Sequence, residues 1–272
     1  MKKWQRKIFI LISVSIGVYL FILGNLYFMQ EKMLFHPEIL AKNYKFNFPG
    51  TYEEIYIPVD KGVKLHGVLF KAPNPKALVF YLHGNGGSVS GRGAGTEVYA
   101  ELGYDLFILD YRGYGKSGGL IKNEQQLVAD VKKAYSYMLK HYNFTEVNTV
   151  IAGYSIGTGP ATILAEGKNV KALILQAPYY SLTGLIDEKV PLIPEFIKRY
   201  KFETYKSIEK VKAPIYIFHG LEDRLIPYEH SVRLKKHCSE VTMIPLPDMG
   251  HNGINENELF KARLKSILSQ LK

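Results

Sequence analysis

The sequence predicts an α/β protein built on a doubly wound, mostly parallel sheet of eight strands. Three observations carry that reading. Short runs rich in β-branched and aromatic residues recur along the chain, segments of helical periodicity separate them, and glycine-rich turns bearing Ser, Asp or His follow several of the runs. A chain of 272 residues accommodates one such domain with a substantial core. With 47% hydrophobic and 22% charged residues it does not have the composition of a disordered chain, and no internal repeat points to a solenoid.

The first segment is of another kind. "IFILISVSIGVYLFILGNLYFM", Ile8 to Met29, carries no charge and has the length of a helix that crosses a hydrocarbon layer. A cleavable signal has a shorter apolar stretch and a small-residue cleavage site, whereas this one ends in large side chains. Residues 1–29 are therefore expected to be a retained signal-anchor transmembrane helix behind a basic stub. Lys2, Lys3, Arg6 and Lys7 precede the span and only Glu31 and Lys32 follow closely. That asymmetry predicts a cytoplasmic amino terminus and a domain on the extracytoplasmic side. Residues 30–50 read as a linker and residues 51–272 as the folded domain.

Of the formal charge of +10, the first 32 residues carry +4. The remaining lysines are scattered among acids without a basic stripe interleaved with aromatics, so no nucleic-acid partner is expected; a membrane surface is easier to argue. Cys238 is the only cysteine, so neither an intramolecular disulfide nor a cysteine-based metal site can form. In "LKKHCSE" it reads as the end of an exposed helix.

Within the domain, "EEIYIPV" and "KLHGVLF" come first, as an expected antiparallel pair. "ALVFYLHG", "YDLFILDYRG", "NTVIAGYS", "VKALILQAP", "PIYIFHG" and "VTMIPLP" follow, six runs that read as buried parallel strands. Helices are expected over Gly93–Leu102, Glu124–Tyr142, Ile156–Glu166, Pro227–His237 and Asn255–Leu271. About 35 residues without this rhythm, within residues 179–213, read as a small cap over the strand ends. In sheets of this kind ligands bind beyond the carboxyl ends of the strands, so function is sought in the turns there.

"VIAGYSIGTGPA" places Ser155 in a G-x-S-x-G pattern where a strand feeds directly into a helix. Glycines at these positions let strand and helix approach around an exposed serine hydroxyl. Such a hydroxyl becomes nucleophilic only when a histidine takes its proton and a carboxylate fixes the tautomer of that histidine. "HGLEDRLIP" supplies Asp223, preferred to Glu222 because adjacent side chains point apart. "DMGHNGI" supplies His251, while His83 and His219 stand before glycines at strand ends, where supporting roles are expected. "YLHGNGG" offers bare backbone amides, so the N–H groups of Asn85 and Ile156 are the candidate oxyanion donors. No G-K-[ST] follows that glycine cluster, which argues against a nucleotide loop. In "DYRGYGKSGG" a structural Asp110–Arg112 pair is expected, and Ser117 lacks the context of a nucleophile.

Together, "HGNGG", "DYRGYGKS", "GYSIGTGPA", "HGLEDRLIP" and "GHN" resemble the α/β-hydrolase superfamily, and more narrowly its membrane-anchored serine hydrolases. The resemblance covers about residues 28 to 270. It implies a Ser155–His251–Asp223 triad with Asn85 and Ile156 as oxyanion donors, no metal or cofactor, and hydrolysis of a small-molecule or lipid ester or thioester. Relatives in that group include lysophospholipases, monoacylglycerol lipases and depalmitoylases. Depalmitoylase-like relatives often use an amino-terminal cysteine cluster for attachment, which this chain lacks. A serine peptidase and a catalytically idle binding protein on the same fold are the alternatives. The aromatics Phe196, Tyr200, Phe202 and Tyr205 of the cap favour a lipid-like or long-acyl substrate.

Overall fold

The computed structural model describes residues 2–92 and 97–271. A long helix, α1 (Lys3–Leu34), comes first and is apolar and long enough to cross a membrane. It continues past Met29, because Gln30, Glu31 and Lys32 extend the helical backbone without interrupting it. Of its side chains only Leu23 is buried.

Eight strands form one sheet: β1 (Thr51–Asp60), β2 (Val63–Lys71), β3 (Ala77–Leu82), β4 (Tyr104–Asp110), β5 (Thr149–Tyr154), β6 (Ala172–Gln176), β7 (Ile215–Gly220) and β8 (Val241–Leu246). Their spatial order is β8-β7-β6-β5-β3-β4-β2-β1. β2 pairs antiparallel with β1 and β4, and the other neighbours are parallel, as the expected hairpin and six parallel strands require. The strand order reverses around β3, which lies between β4 and β5. A crevice opens at the carboxyl end of such a reversal.

The apolar runs are continuous because both faces of the sheet are covered. Leu78, Phe80 and Leu82 of β3 face Leu127, Val131 and Tyr135 of α3 (Glu124–His141) and Ala161 and Leu164 of α4 (Thr158–Ala165). Val79 and Tyr81 face the other way, toward Phe260, Leu264 and Leu268 of α8 (Glu258–Gln270) and Tyr99 of α2 (Glu97–Glu101). β8 differs from the expected buried strand: Thr242 and Pro245 are exposed because it forms the edge of the sheet. Proline lacks an N–H and is tolerated at such an edge.

The helices fall near the expected segments: α3 starts at Glu124 as expected, and α4, α7 and α8 start two or three residues later than expected. Residues 93–96 of the first candidate lie outside the described residues. The Ile156 candidate begins as a 3-10 turn, Ser155–Gly157, before α4. The last candidate starts only at Glu258, where the Asn257 side chain accepts the Phe260 N–H at 2.9 Å and caps the helix. Between β6 and β7 lie α5 (Leu182–Lys189), a 3-10 turn at Glu195–Ile197 and α6 (Thr204–Ile208). α7 (Glu229–His237) joins β7 to β8.

The segment after α1 is not a free tether. His36 and Pro37 pair in parallel with Gly86 and Gly87. The His36 N–H donates to Asn85 O at 2.9 Å and the Glu38 N–H to Gly87 O at 3.0 Å. The Glu38 carboxylate accepts from Ser88 at 2.6 Å and Ser90 at 2.5 Å, and Leu40 N–H donates to Gly115 O at 2.9 Å. Further on, Phe46 stacks on His66 and Phe48.

Candidate active site

Ser155 stands at the end of β5 with φ +53°, a left-handed conformation uncommon outside glycine. The flanking glycines make the turn possible. A Cβ on Gly153 would lie 2.6 Å from Gly157 O, and one on Gly157 would lie 2.2 Å from Leu82 O of β3. Any side chain there would push strand and helix apart.

His251 and Asp223 come from the turns after β8 and β7. Ser155 Oγ lies 2.9 Å from His251 Nε2, and His251 Nδ1 lies 2.7 Å from Asp223 Oδ2. The other carboxylate oxygen of Asp223 accepts the N–H groups of Leu225 at 2.9 Å and Ile226 at 2.8 Å. Burial raises the Asp223 pKa, but hydrogen bonds from His219, His251 and the Ile226 amide outweigh it and hold the carboxyl well below the usual carboxylate range. His219 Nε2 donates to Ile226 O at 2.8 Å while facing Asp223 Oδ2 at 3.3 Å, and Ser231 closes its other side at 2.6 Å. Tyr154 stacks against His251 with ring centroids 5.4 Å apart, and its hydroxyl donates to His251 O at 2.9 Å. A chain of this kind can draw a proton from a serine hydroxyl as it attacks a carbonyl.

The peptide groups carrying the Asn85 and Ile156 amides are each held by their carbonyl. His83 Nδ1 donates to Gly84 O at 2.7 Å. Thr158 Oγ1 donates to Ser155 O at 2.6 Å, and the Thr158 N–H bonds the same oxygen. A trans peptide is planar, so fixing C=O fixes the direction of the N–H on its far side. Asn85 O is also held, by His36 N–H at 2.9 Å and by Tyr114 OH at 2.6 Å.

Asn85, Ser155 and Ile156 line one cavity of about 320 Å³. Its walls are mainly aliphatic: Leu182, Leu185 and Ile186 from α5, Val190, Ile193 and Ile197 from the cap, and Leu26, Met33 and Leu34 from α1.

Comparison with known proteins gives the family. A family model described as serine aminopeptidase, S33, matches residues 73–202. The human α/β hydrolase domain-containing protein 17B is 31% identical over 207 residues, an alignment covering 73% of this chain and 68% of the relative. The chain belongs to the α/β-hydrolase family. The domain-containing protein 17C of Xenopus tropicalis is 32% identical over 206 residues, covering 73% of this hydrolase and 63% of the relative. The chain thus spans about two thirds of the length of these relatives. An esterase from Pyrococcus furiosus shares the fold at a TM-score of 0.67 and 19% identity, over 88% of this chain and 98% of the esterase. An α/β hydrolase from Vibrio vulnificus does so at 0.68 and 23%, over 81% of each chain.

Two site expectations need correction in this hydrolase. Asp110 and Arg112 do not pair: Arg112 makes a fork to Asp130 at 2.5 and 2.9 Å, because its side chain runs back along α3. Asp110 instead accepts the Val89 N–H at 2.8 Å and faces His66 at 3.1 Å and His83 at 3.5 Å. Burial raises its pKa, but those imidazoles outweigh burial and the carboxyl sits below its ordinary value. Second, the cap aromatics do not line the cavity. Tyr200 and Phe202 are fully buried in the core, Tyr205 stacks on Tyr180, and Phe196 is 79% exposed. Cys238 ends α7 as its C-cap, after the exposed Lys235, Lys236 and His237, and its own side chain is half-buried against the core. Ser117 is structural, donating to Asp110 O at 2.7 Å and accepting the His66 N–H at 2.7 Å.

Sequence reasoning missed Thr158, Tyr154 and the α1 residues at the cavity. Thr158 lay three residues after the nucleophile candidate, the spacing at which a hydroxyl returns to a backbone carbonyl. For the α1 wall no periodic signal exists.

Proposed function

We propose that this α/β hydrolase is a membrane-anchored serine hydrolase that cleaves carboxylic esters or thioesters of long acyl chains. The observation that carries the reading is a serine joined through histidine to a buried aspartate and opening into an aliphatic cavity partly walled by α1. Ser155 attacks the acyl carbonyl while His251 takes its proton. The Asn85 and Ile156 amides receive the oxyanion, and His251 returns the proton to the departing alcohol or thiol. Water, activated by the same imidazole, then releases the acid and restores Ser155. Asp223 holds the Nδ1–H tautomer throughout.

In this reading residues 1–29 carry the cytoplasmic stub and anchor, residues 30–50 the connection, and residues 51–272 the hydrolase domain, whose cap lies within residues 179–213. The domain sits on the extracytoplasmic side, as the basic residues before the span favour.

Labelling with a fluorophosphonate probe tests the chemistry. Wild type is expected to label and Ser155→Ala not at all; absence of label on folded wild type refutes the enzyme reading and leaves a binding protein. Release of fatty acid from p-nitrophenyl esters without cleavage of aminoacyl arylamides separates the esterase from a peptidase.

A further inference from the structure

The cap does more than cover the strand ends, because it lies along α1. Tyr19 donates its hydroxyl to Leu192 O at 2.9 Å, and Gln30 donates to Ile197 O at 2.8 Å while accepting the Arg199 N–H at 2.8 Å. Glu31 meets Arg199 at 2.9 Å and Tyr200 at 2.8 Å. At 1.5 Å of rise per residue, the Tyr19 and Gln30 contacts are about 16 Å apart along the helix. Tyr19 lies near the middle of the uncharged run, so Leu192 is held at a depth well inside that run.

The segment "VPLIPEFI", residues 190–197, has the composition such a depth demands. Val190, Leu192 and Phe196 are exposed, the last two at 84% and 79%. Hydrocarbon offers no hydrogen bonds, so each backbone group that is absent or met internally lowers the cost of such a placement. Pro191 and Pro194 bring no N–H, the Val190 and Ile197 N–H groups donate to Ile186 O and Pro194 O, and the carbonyls of Leu192 and Ile197 are met by α1. The single acid, Glu195, is paired with Lys198 at 3.1 Å. Leu192 takes φ +74°, a rare conformation for leucine, as the loop turns there.

We propose that α1 and the cap loop at residues 190–197 form a portal immersed in the bilayer, through which one acyl chain of a lipid ester or thioester passes sideways to Ser155. Leu26 and Met33 are then specificity residues of the site, since they line the same cavity as Ser155. The inference rests on the serine hydrolase reading above and adds the route and the role of the anchor.

The test uses the full chain in phosphatidylcholine vesicles. For Leu26→Trp and Met33→Trp, the ratio of kcat/KM for p-nitrophenyl palmitate to that for p-nitrophenyl acetate is expected to fall at least tenfold, rates being taken per fluorophosphonate-labelled enzyme. Leu11→Trp, on α1 but not at the cavity, is expected to keep the wild-type ratio. A ratio unchanged in both cavity variants overturns the wall. The loop is tested through the chain's one tryptophan, Trp4. In a Trp4→Phe, Phe196→Trp variant, fluorescence is expected to be quenched by lipid brominated in its acyl chains and shielded from aqueous acrylamide. Quenching by acrylamide alone overturns the immersion. Loss of wild-type labelling would instead defeat the serine hydrolase reading itself, so the two failures are distinct.

Discussion

The floor and the roof of the cavity are built by opposite means. Beneath Ser155, polar groups fix one another: His83 holds Gly84 O, Thr158 holds Ser155 O, and two backbone amides and two imidazoles face Asp223. Above it, the walls that α1 and the cap supply are mainly aliphatic, and the polar bonds between them join α1 to the cap rather than reach Ser155. In the proposed reaction the floor sets the angles that proton transfer and oxyanion binding require, whereas the roof sets volume and apolarity. Damage to the floor should therefore appear in kcat, and damage to the roof in KM and chain-length preference.

The strongest probe of that division is Asp223→Asn, which should lower kcat by about 10⁴-fold while the fold survives, because the imidazole loses its fixed tautomer. Thermal melting beside steady-state kinetics checks it; a comparable change in KM alone would erase the distinction. Thr158→Val removes the hydroxyl that holds Ser155 O and should lower kcat about tenfold at constant KM, less than the loss of a whole oxyanion donor. On the roof, Arg199→Met breaks the pair with Glu31 and should raise KM for a long-acyl ester about threefold, within the range of a half-exposed ion pair.

The smallest expected effect concerns the join between cap and α7. His230 is buried; its Nδ1 accepts the Tyr180 N–H at 3.1 Å and its Nε2 donates to Glu188 at 3.0 Å. Burial, helped by the nearby Arg233 and His219, lowers its pKa by more than the Glu188 carboxylate raises it. The folded state therefore prefers the neutral ring. Its contribution is intact above the unfolded value of about 6.5 and fades as pH falls through the lower folded value. Between pH 7.5 and 5.5 wild type should lose about 2–4 °C of Tm more than His230→Gln, measured by calorimetry.

The floor was legible in the sequence because it rests on local backbone demands. Gly153 and Gly157 touch neighbouring carbonyls, Ser155 needs a positive φ, and Asp223 and His251 sit in turns directly after strands. Each demand leaves a residue type at a fixed spacing. The roof was not legible, since Leu26 and Met33 look like any lipid-facing residues until the cap is laid beside them. Aromatic content misled for a related reason: Tyr200 and Phe202 entered the core, and only tertiary packing separates a core ring from a lining one. The Asp110–Arg112 expectation failed because neighbours in sequence at the end of β4 turn to different layers, one to His66 and the other to α3.

An anchor is ordinarily an interchangeable part that fixes location and leaves the enzyme unaltered. Here the strand at His36–Pro37, just after α1, is laced to the loop that carries Asn85. A chimera joined at Thr51 would keep every strand of the main sheet and still strip that loop of its edge partner. The usable seam for exchanging modules lies before Tyr19, whose hydroxyl bonds Leu192 O, so the rest of α1 and the stretch after it travel with the hydrolase domain as one unit of design.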